Sequence, residues 1–123
     1  MKTATDYLDE ANAVVPKIST EAGIAKHGGD TVFIDVRDGT DIAASGTIAG
    51  ALRIPRGMME FRADDSHPLH NEALKKDAEF VLICGAGGQA ALAGKTMKEM
   101  GFSNVSNVGG FKAWKDAGGP TED

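Results

Sequence analysis

Two nearly unbroken apolar runs set the limits on this chain. Thr31-Val-Phe-Ile-Asp-Val36 and Phe80-Val-Leu-Ile-Cys84 lack the polar alternation of a strand with one wet face. Such runs suit strands covered on both sides, the condition of parallel sheets whose crossover helices lie on each face.

The intervening segments supply the helices. Thr3 or Thr5 can cap a helix over about Asp6 to Val15, stopped by Pro16, and Ser19-Thr20 precede a second from Glu21 to His27 that ends at Gly28-Gly29. Arg37 to Gly50 is small and polar and receives no element. Ala51 to Ile54 reads as a short strand closed by Pro55, and Gly57 to Ala63 and Asn71 to Asp77 carry weak helical character around the turn-rich Asp64–Pro68. Gln89 to Met100 has helical periodicity before Gly101, Asn104 to Val108 is a last strand, and Gly110 to Gly118 a last helix. Alternating strands and helices predict an α/β fold with a mainly parallel sheet and helices on both faces. Residues 1–16 are expected to form a helical extension packed on the domain, 17–120 the domain itself, and 121–123 a flexible tail.

Composition narrows the function classes. At 123 residues the chain has room for one core and so for one principal site. A formal charge of -5, with no block of Lys and Arg, argues against nucleic acid as a partner. No run reaches the ~18 apolar residues of a membrane span, and the start of the chain is polar and acidic, so no membrane partner and a cytoplasmic location are expected. Cys84 is the sole cysteine, which leaves any thiol chemistry dependent on a second molecule.

Cys84 stands at the carboxyl end of its strand with a helix starting soon after, which is where open α/β sheets bind ligands. The backbone N–H groups of Gly85, Ala86, Gly87, Gly88, Gln89 and Ala90 are unobstructed by large side chains and can converge on an anion, with the helix N-terminus adding partial positive charge. Cysteines in such settings have pKa values lowered from about 8.5 to roughly 3.5–7.5. Cys84 is thereby a candidate nucleophile, against the plainer reading of a small buried hydrophobe. Gly85-Ala-Gly-Gly-Gln-Ala90 also matches a loose dinucleotide fingerprint, but the region around Val105–Gly110 carries no acid to hold a ribose.

Several segments in order resemble the rhodanese (sulfurtransferase) family in its single-domain form: Ile34-Asp-Val-Arg37; Gly46-Thr-Ile-Ala-Gly-Ala51 leading to Ile54-Pro-Arg-Gly-Met58; Cys84-Gly-Ala-Gly-Gly-Gln89; Gly101-Phe-Ser-Asn-Val105; and Gly109-Gly-Phe-Lys-Ala-Trp114 with Ala117-Gly118. The resemblance implies a three-layer fold with a five-stranded parallel sheet, and transfer of a sulfane sulfur from thiosulfate or a persulfide donor to a thiol acceptor through a persulfide on Cys84. It implies a small anionic donor or a protein persulfide as partner and an external thiol as acceptor; neither metal nor cofactor is expected. A six-residue loop ending at Gln89 fits sulfurtransferases, whereas the related phosphatase and arsenate-reductase branches have a loop one residue longer that ends in Arg.

Two positions depart from the pattern. Many rhodaneses have Arg and then Ser or Thr where this chain has Gln89 and Ala90, and the usual Gly-His-Ile is Gly46-Thr47-Ile48. Losing a guanidinium removes a contact to an anionic donor on the order of 1.5–3 kcal/mol, so donor capture is expected to suffer more than the covalent step. Arg56 is a candidate replacement cation, Arg53 a surface residue, and Asp35 with Arg37 a structural pair near the site. Phe111 and Trp114 read as core aromatics, and His67 and His70 flank Pro68 in a turn-rich segment that no second cysteine joins, so no metal site is expected there. A catalytically idle binding or redox-sensing module of the same fold is the alternative to an enzyme.

Overall fold

The computed structural model describes all residues from Met1 to Asp123. Helix α1 (Ala4–Val14) opens on a capping box: Asp6 N–H donates to Thr3 Oγ1 at 3.2 Å and Thr3 N–H donates to Asp6 Oδ2 at 2.8 Å. Ser19 caps α2 (Thr20–Lys26) through the Ala22 N–H. Strand β1 (Val32–Asp35), α3 (Gly39–Ser45), β2 (Thr47–Ile48) and β3 (Leu52–Arg53) follow, then a 3-10 turn over Arg56–Met58 that runs into α4 (Met59–Ala63). Strand β4 (Phe80–Cys84), α5 (Gly88–Glu99), β5 (Val105–Gly110), α6 (Phe111–Asp116) and β6 (Thr121–Glu122) complete the chain.

The main sheet is parallel, in the order β3-β1-β4-β5, with the two apolar runs side by side at its centre. All of β4 is buried. Ile34 and Leu82 face a core shared with Met59, Met97 and Phe102, where α4 and α5 lie. Phe33, Val81 and Ile83 face the opposite core, where Val108, Phe111 and Trp114 pack against Ile24 of α2. Each fully buried side chain of this size stabilises the fold by about 1.5–3 kcal/mol relative to exposure. Central strands that feed both cores therefore dominate the energetics.

The five-stranded sheet implied by the family resemblance has four strands and a remnant of the fifth. Lys17 alone bridges to Asn107, with Asn107 N–H donating to Pro16 O and Ile18 N–H to Asn107 O. Pro16 has no N–H to continue the ladder and Ser19 is already committed to capping α2, so no longer pairing can form between them. Asn71–Asp77 is a run of turns instead of a helix: Asn71 Oδ1 takes the Ala73 N–H, and the remaining bonds close over short spans around buried Leu74. Residues 121–123, expected to be a free tail, include a strand. Thr121–Glu122 pair antiparallel with Thr47–Ile48, while Pro120 O accepts from Trp114 Nε1 at 2.9 Å and from the Ala49 N–H at 3.1 Å.

The extension α1 lies along α5. Ala11 and Val15 are buried there, and Gly94 admits the Val15 side chain where a Cβ would come within 3.0 Å of it. This packing sets Leu8 beside Gly88 at the start of α5.

Candidate functional site

The site is built where β4 ends. Cys84 Sγ accepts hydrogen bonds from the N–H of Gly87 at 3.0 Å and of Ala90 at 3.3 Å. Gly87 makes this loop fold: at φ +98° it turns the chain straight into α5 as its N-cap, a conformation that favours glycine. The N–H groups of Gly85, Ala86, Gly88 and Gln89 have no acceptor within the protein and remain for water or an incoming anion. Four donors of one loop left in this way, beside two already on sulfur, form an electropositive cradle of backbone. The sulfur itself is closed in, since Cys84 is 1% exposed.

The neighbouring strand shapes the cradle from behind. A bulge in the β4–β5 ladder moves the register from Leu82–Asn107 to Ile83–Gly109 and so sets Gly110 opposite Cys84. There a Cβ on residue 110 would lie 2.5 Å from Gly85 O, so the close approach of the two strands requires glycine. Asn107, 3% exposed, spans the gap: its Nδ2 donates to Gly87 O at 2.9 Å and its Oδ1 accepts the Gly109 N–H at 2.8 Å. The sequence reading passed over Asn107. The signal present was an amide inside a run otherwise destined for burial, because a buried amide must have partners.

Asp35 and Arg37 make no hydrogen bond to the sulfur and brace the frame. Asp35 is 0% exposed and holds Arg37 through Nη2 at 2.8 Å and Nε at 3.1 Å, with Thr47 Oγ1 donating at 2.7 Å. Arg37 also donates to Ser45 Oγ and Gly46 O, and its guanidinium stacks on the Phe111 ring at 4.7 Å. Every nitrogen of the guanidinium is therefore engaged. Thr47, in place of the family histidine, supplies the hydroxyl that completes the Asp35 set.

Arg56 reaches a shallow groove of about 500 Å³ that it shares with Gln89, Leu92 and the α1 residues Ala4, Tyr7 and Leu8. Its charge is matched there: Nη1 lies 3.1 Å from Glu60 Oε1 and Nη2 donates to Thr96 Oγ1 at 3.0 Å. Gln89 is exposed with no hydrogen bond from its amide. Arg53 is tied to Glu122 and to the Asp123 carbonyl. His67 Nδ1 takes the Leu69 N–H and its ring packs on Phe61. A second cavity, of about 410 Å³, lies between α1, the Lys17–Ile18 segment, the loop at Ala86–Gly88 and β5 at Asn107–Gly109. No helix is long and apolar enough to cross a membrane.

A parallel sheet with helices on both faces and a cysteine in an amide cradle defines the rhodanese-like class. The family model described as the rhodanese-like domain matches residues 20–117, and the chain belongs to that family. It is 34% identical to a Bacillus subtilis protein named as a sulfurtransferase, YtwF, over 82% of this chain and 91% of that protein. It is 30% identical to a second B. subtilis protein, named as a sulfur carrier, YrkF, over 93% of this chain, but spans 58% of the length of that relative. Among solved structures, a Rhodopseudomonas palustris protein of unknown function, whose description raises tyrosine phosphatase as its activity, superposes with a TM-score of 0.93. That likeness runs at 39% identity over 99% of this chain and 96% of the other.

Proposed function

We propose that this protein is a sulfurtransferase that carries a sulfane sulfur on Cys84. The observation that carries the reading is the pair of amides already aimed at Sγ, with four more N–H groups of the loop unengaged. The Cys84 thiolate attacks the outer sulfur of thiosulfate; a new S–S bond forms to Cys84, the donor S–S bond breaks, and sulfite leaves with the electron pair. With an organic persulfide the attack falls on the terminal sulfur and the donor's thiolate leaves. An acceptor thiolate then takes the terminal sulfur and returns Cys84 as thiolate. Negative charge rests on the terminal sulfur between the two steps, where fixed amides stabilise it without reorganisation.

On the side of the loop that Gln89 and Arg56 border, the residues favour an organic persulfide over thiosulfate as donor. Gln89 brings no cation to the rim, and Arg56 is neutralised by Glu60. The names of the two B. subtilis relatives support sulfur as the cargo. Phosphoryl transfer, raised by the description of the R. palustris protein, has no clamp here: the loop ends in Gln89 and Ala90, and Ala90 is buried with its N–H spent on Sγ. Because Cys84 is 1% exposed, transfer on this reading requires the loop to open toward the donor.

Intact mass after incubation with thiosulfate or an organic persulfide tests the reading. The wild type should gain one cyanide-labile sulfur and Cys84→Ser none. A wild type that stays unmodified with both donors leaves the idle-module reading standing. Gln89→Arg should raise the rate with thiosulfate by roughly ten- to a hundredfold while changing the rate with the persulfide little.

A further inference from the structure

We propose that the cavity between α1 and the cradle is the docking site for an anionic sulfur donor or its anionic leaving group, with Lys17 as its cation. The proposal rests on Cys84 as the sulfur carrier and adds where the charged end of the donor sits. The chain carries a formal charge of -5, so an anion approaching the loop needs a local exception to the overall field. The cations near the site supply none. Arg37 is spent on Asp35, Ser45 and Gly46, Arg53 on Glu122 and Arg56 on Glu60. Lys17 has no carboxylate within ion-pair distance, and it is the one charged residue that lines the cavity.

The rest of the lining suits the same ligand. Asn12 offers an amide from α1, and Gly87 and Gly88 present the outer side of the loop that holds Sγ. The Gly88 N–H has no acceptor in the protein. No acidic side chain lines the cavity, and its volume of about 410 Å³ exceeds the needs of a small sulfur oxyanion. Lys17 owes its place to the bridge with Asn107, which pins the segment to β5 next to the cradle. It lies before residue 20, where the family match begins, and complements the missing Arg at position 89.

The test is a titration of Cys84→Ser protein with thiosulfate and, separately, with sulfite, followed by the amide NMR signals of Gly87, Gly88 and Gly109. These signals should move and saturate. In the Lys17→Gln background the dissociation constant should rise about fivefold, and in Lys17→Glu about tenfold or more, with the difference shrinking as salt is raised from about 0.05 to 0.5 M. A Lys17→Glu dissociation constant within twofold of the Lys17 form, or no movement of these signals, overturns the proposal. Sulfur loading of wild-type Cys84 is measured alongside. If loading fails but the Lys17-dependent binding holds, the transferase reading falls and the anion site stands; if loading succeeds without Lys17 dependence, the anion site alone falls.

Discussion

Asn107→Ala separates holding the fold from aiming the cradle. The substitution removes the Nδ2 donor to Gly87 O at 2.9 Å and the Oδ1 acceptor of the Gly109 N–H at 2.8 Å. Gly87 O keeps a second donor, the Ala91 N–H at 3.0 Å, and Gly109 is only half-buried, so neither group is left fully stranded. Two ordinary hydrogen bonds contribute about 0.5–1.5 kcal/mol each, so the expected destabilisation is about 2 kcal/mol, or roughly 6–10 °C in Tm for a chain of this size. The functional cost follows from a different quantity. Gly87 O and the Gly88 N–H belong to one peptide unit, and that unit adjoins the Gly87 N–H that bonds Sγ. Once the clamp is gone, one amide facing an anionic sulfur loses its aim, an interaction on the order of 1.5–3 kcal/mol, equivalent to about ten- to a hundredfold in rate.

Single-turnover loading of Cys84 from an organic persulfide, read by mass and set against Tm, is the assay. Asn107→Ala should lose about tenfold or more in loading rate at temperatures where it remains folded. Asn107→Asp is the sharper variant, because it preserves shape and the acceptor for Gly109 while placing a carboxylate oxygen against the Gly87 carbonyl. It should load more slowly than Asn107→Ala at neutral pH. A loading rate within twofold of wild type in Asn107→Ala, despite the lowered Tm, would refute the reasoning and leave Asn107 a structural tie.

Other expectations follow from the same geometry. Gly110→Ala forces a Cβ to 2.5 Å from Gly85 O and should destabilise by about 1–3 kcal/mol and slow loading, checked by denaturant melts beside the mass assay. Asp35→Ala leaves Arg37 buried without its carboxylate and should cost about 3–5 kcal/mol, with Asp35→Asn costing less because it can still accept from Thr47; urea melts decide. Glu79 is held below the ordinary carboxylate range first by the Lys26 ammonium at 2.7 Å and then by the Thr31 hydroxyl at 2.6 Å. A lowered pKa in the fold stabilises above the unfolded value of about 4.3 and is lost as pH falls through the lower folded value. Wild-type Tm should accordingly drop more steeply than that of Glu79→Gln on acidification below about pH 5, and equal slopes would discount the pair.

What was readable in the chain followed from how strongly a segment commits to one environment. Phe80–Cys84 is apolar at every position, and it became the strand buried on both faces with Cys84 at its end. Helix α3 escaped notice because Gly39–Ser45 offers one buried apolar side chain, Ile42, too few to show a period over seven residues. Strands β2 and β6 have two residues each, and their pairing depends on Trp114 holding Pro120, a contact between positions six apart that no local pattern reports. At the site, the loop letters revealed the cradle because glycines before a helix have few other uses. Lys17 and Asn107 were invisible for the opposite reason: each is an ordinary polar residue until a one-residue bridge sets them side by side behind the loop.

That bridge also gives α1 a consequence for chemistry. A cysteine presented on an open rim reacts with whatever electrophile arrives, whereas Cys84 is 1% exposed under a loop flanked by Leu8. The two spaces that adjoin the loop differ in character: the one at Lys17 has a single unpaired cation, while the one at Arg56 is walled by Ala4, Tyr7, Leu8 and Leu92 with its cation neutralised. Leu8 and Gly88 line both, so α1 divides a charged approach to the loop from an apolar one. Thiosulfate and sulfite suit the first, and the organic body of a persulfide or of an acceptor thiol suits the second. If donor and acceptor use separate sides in this way, Leu8→Ala, which opens the wall between them, should blur that discrimination, lowering the ratio of organic to inorganic donor rates while leaving the amides on Sγ intact.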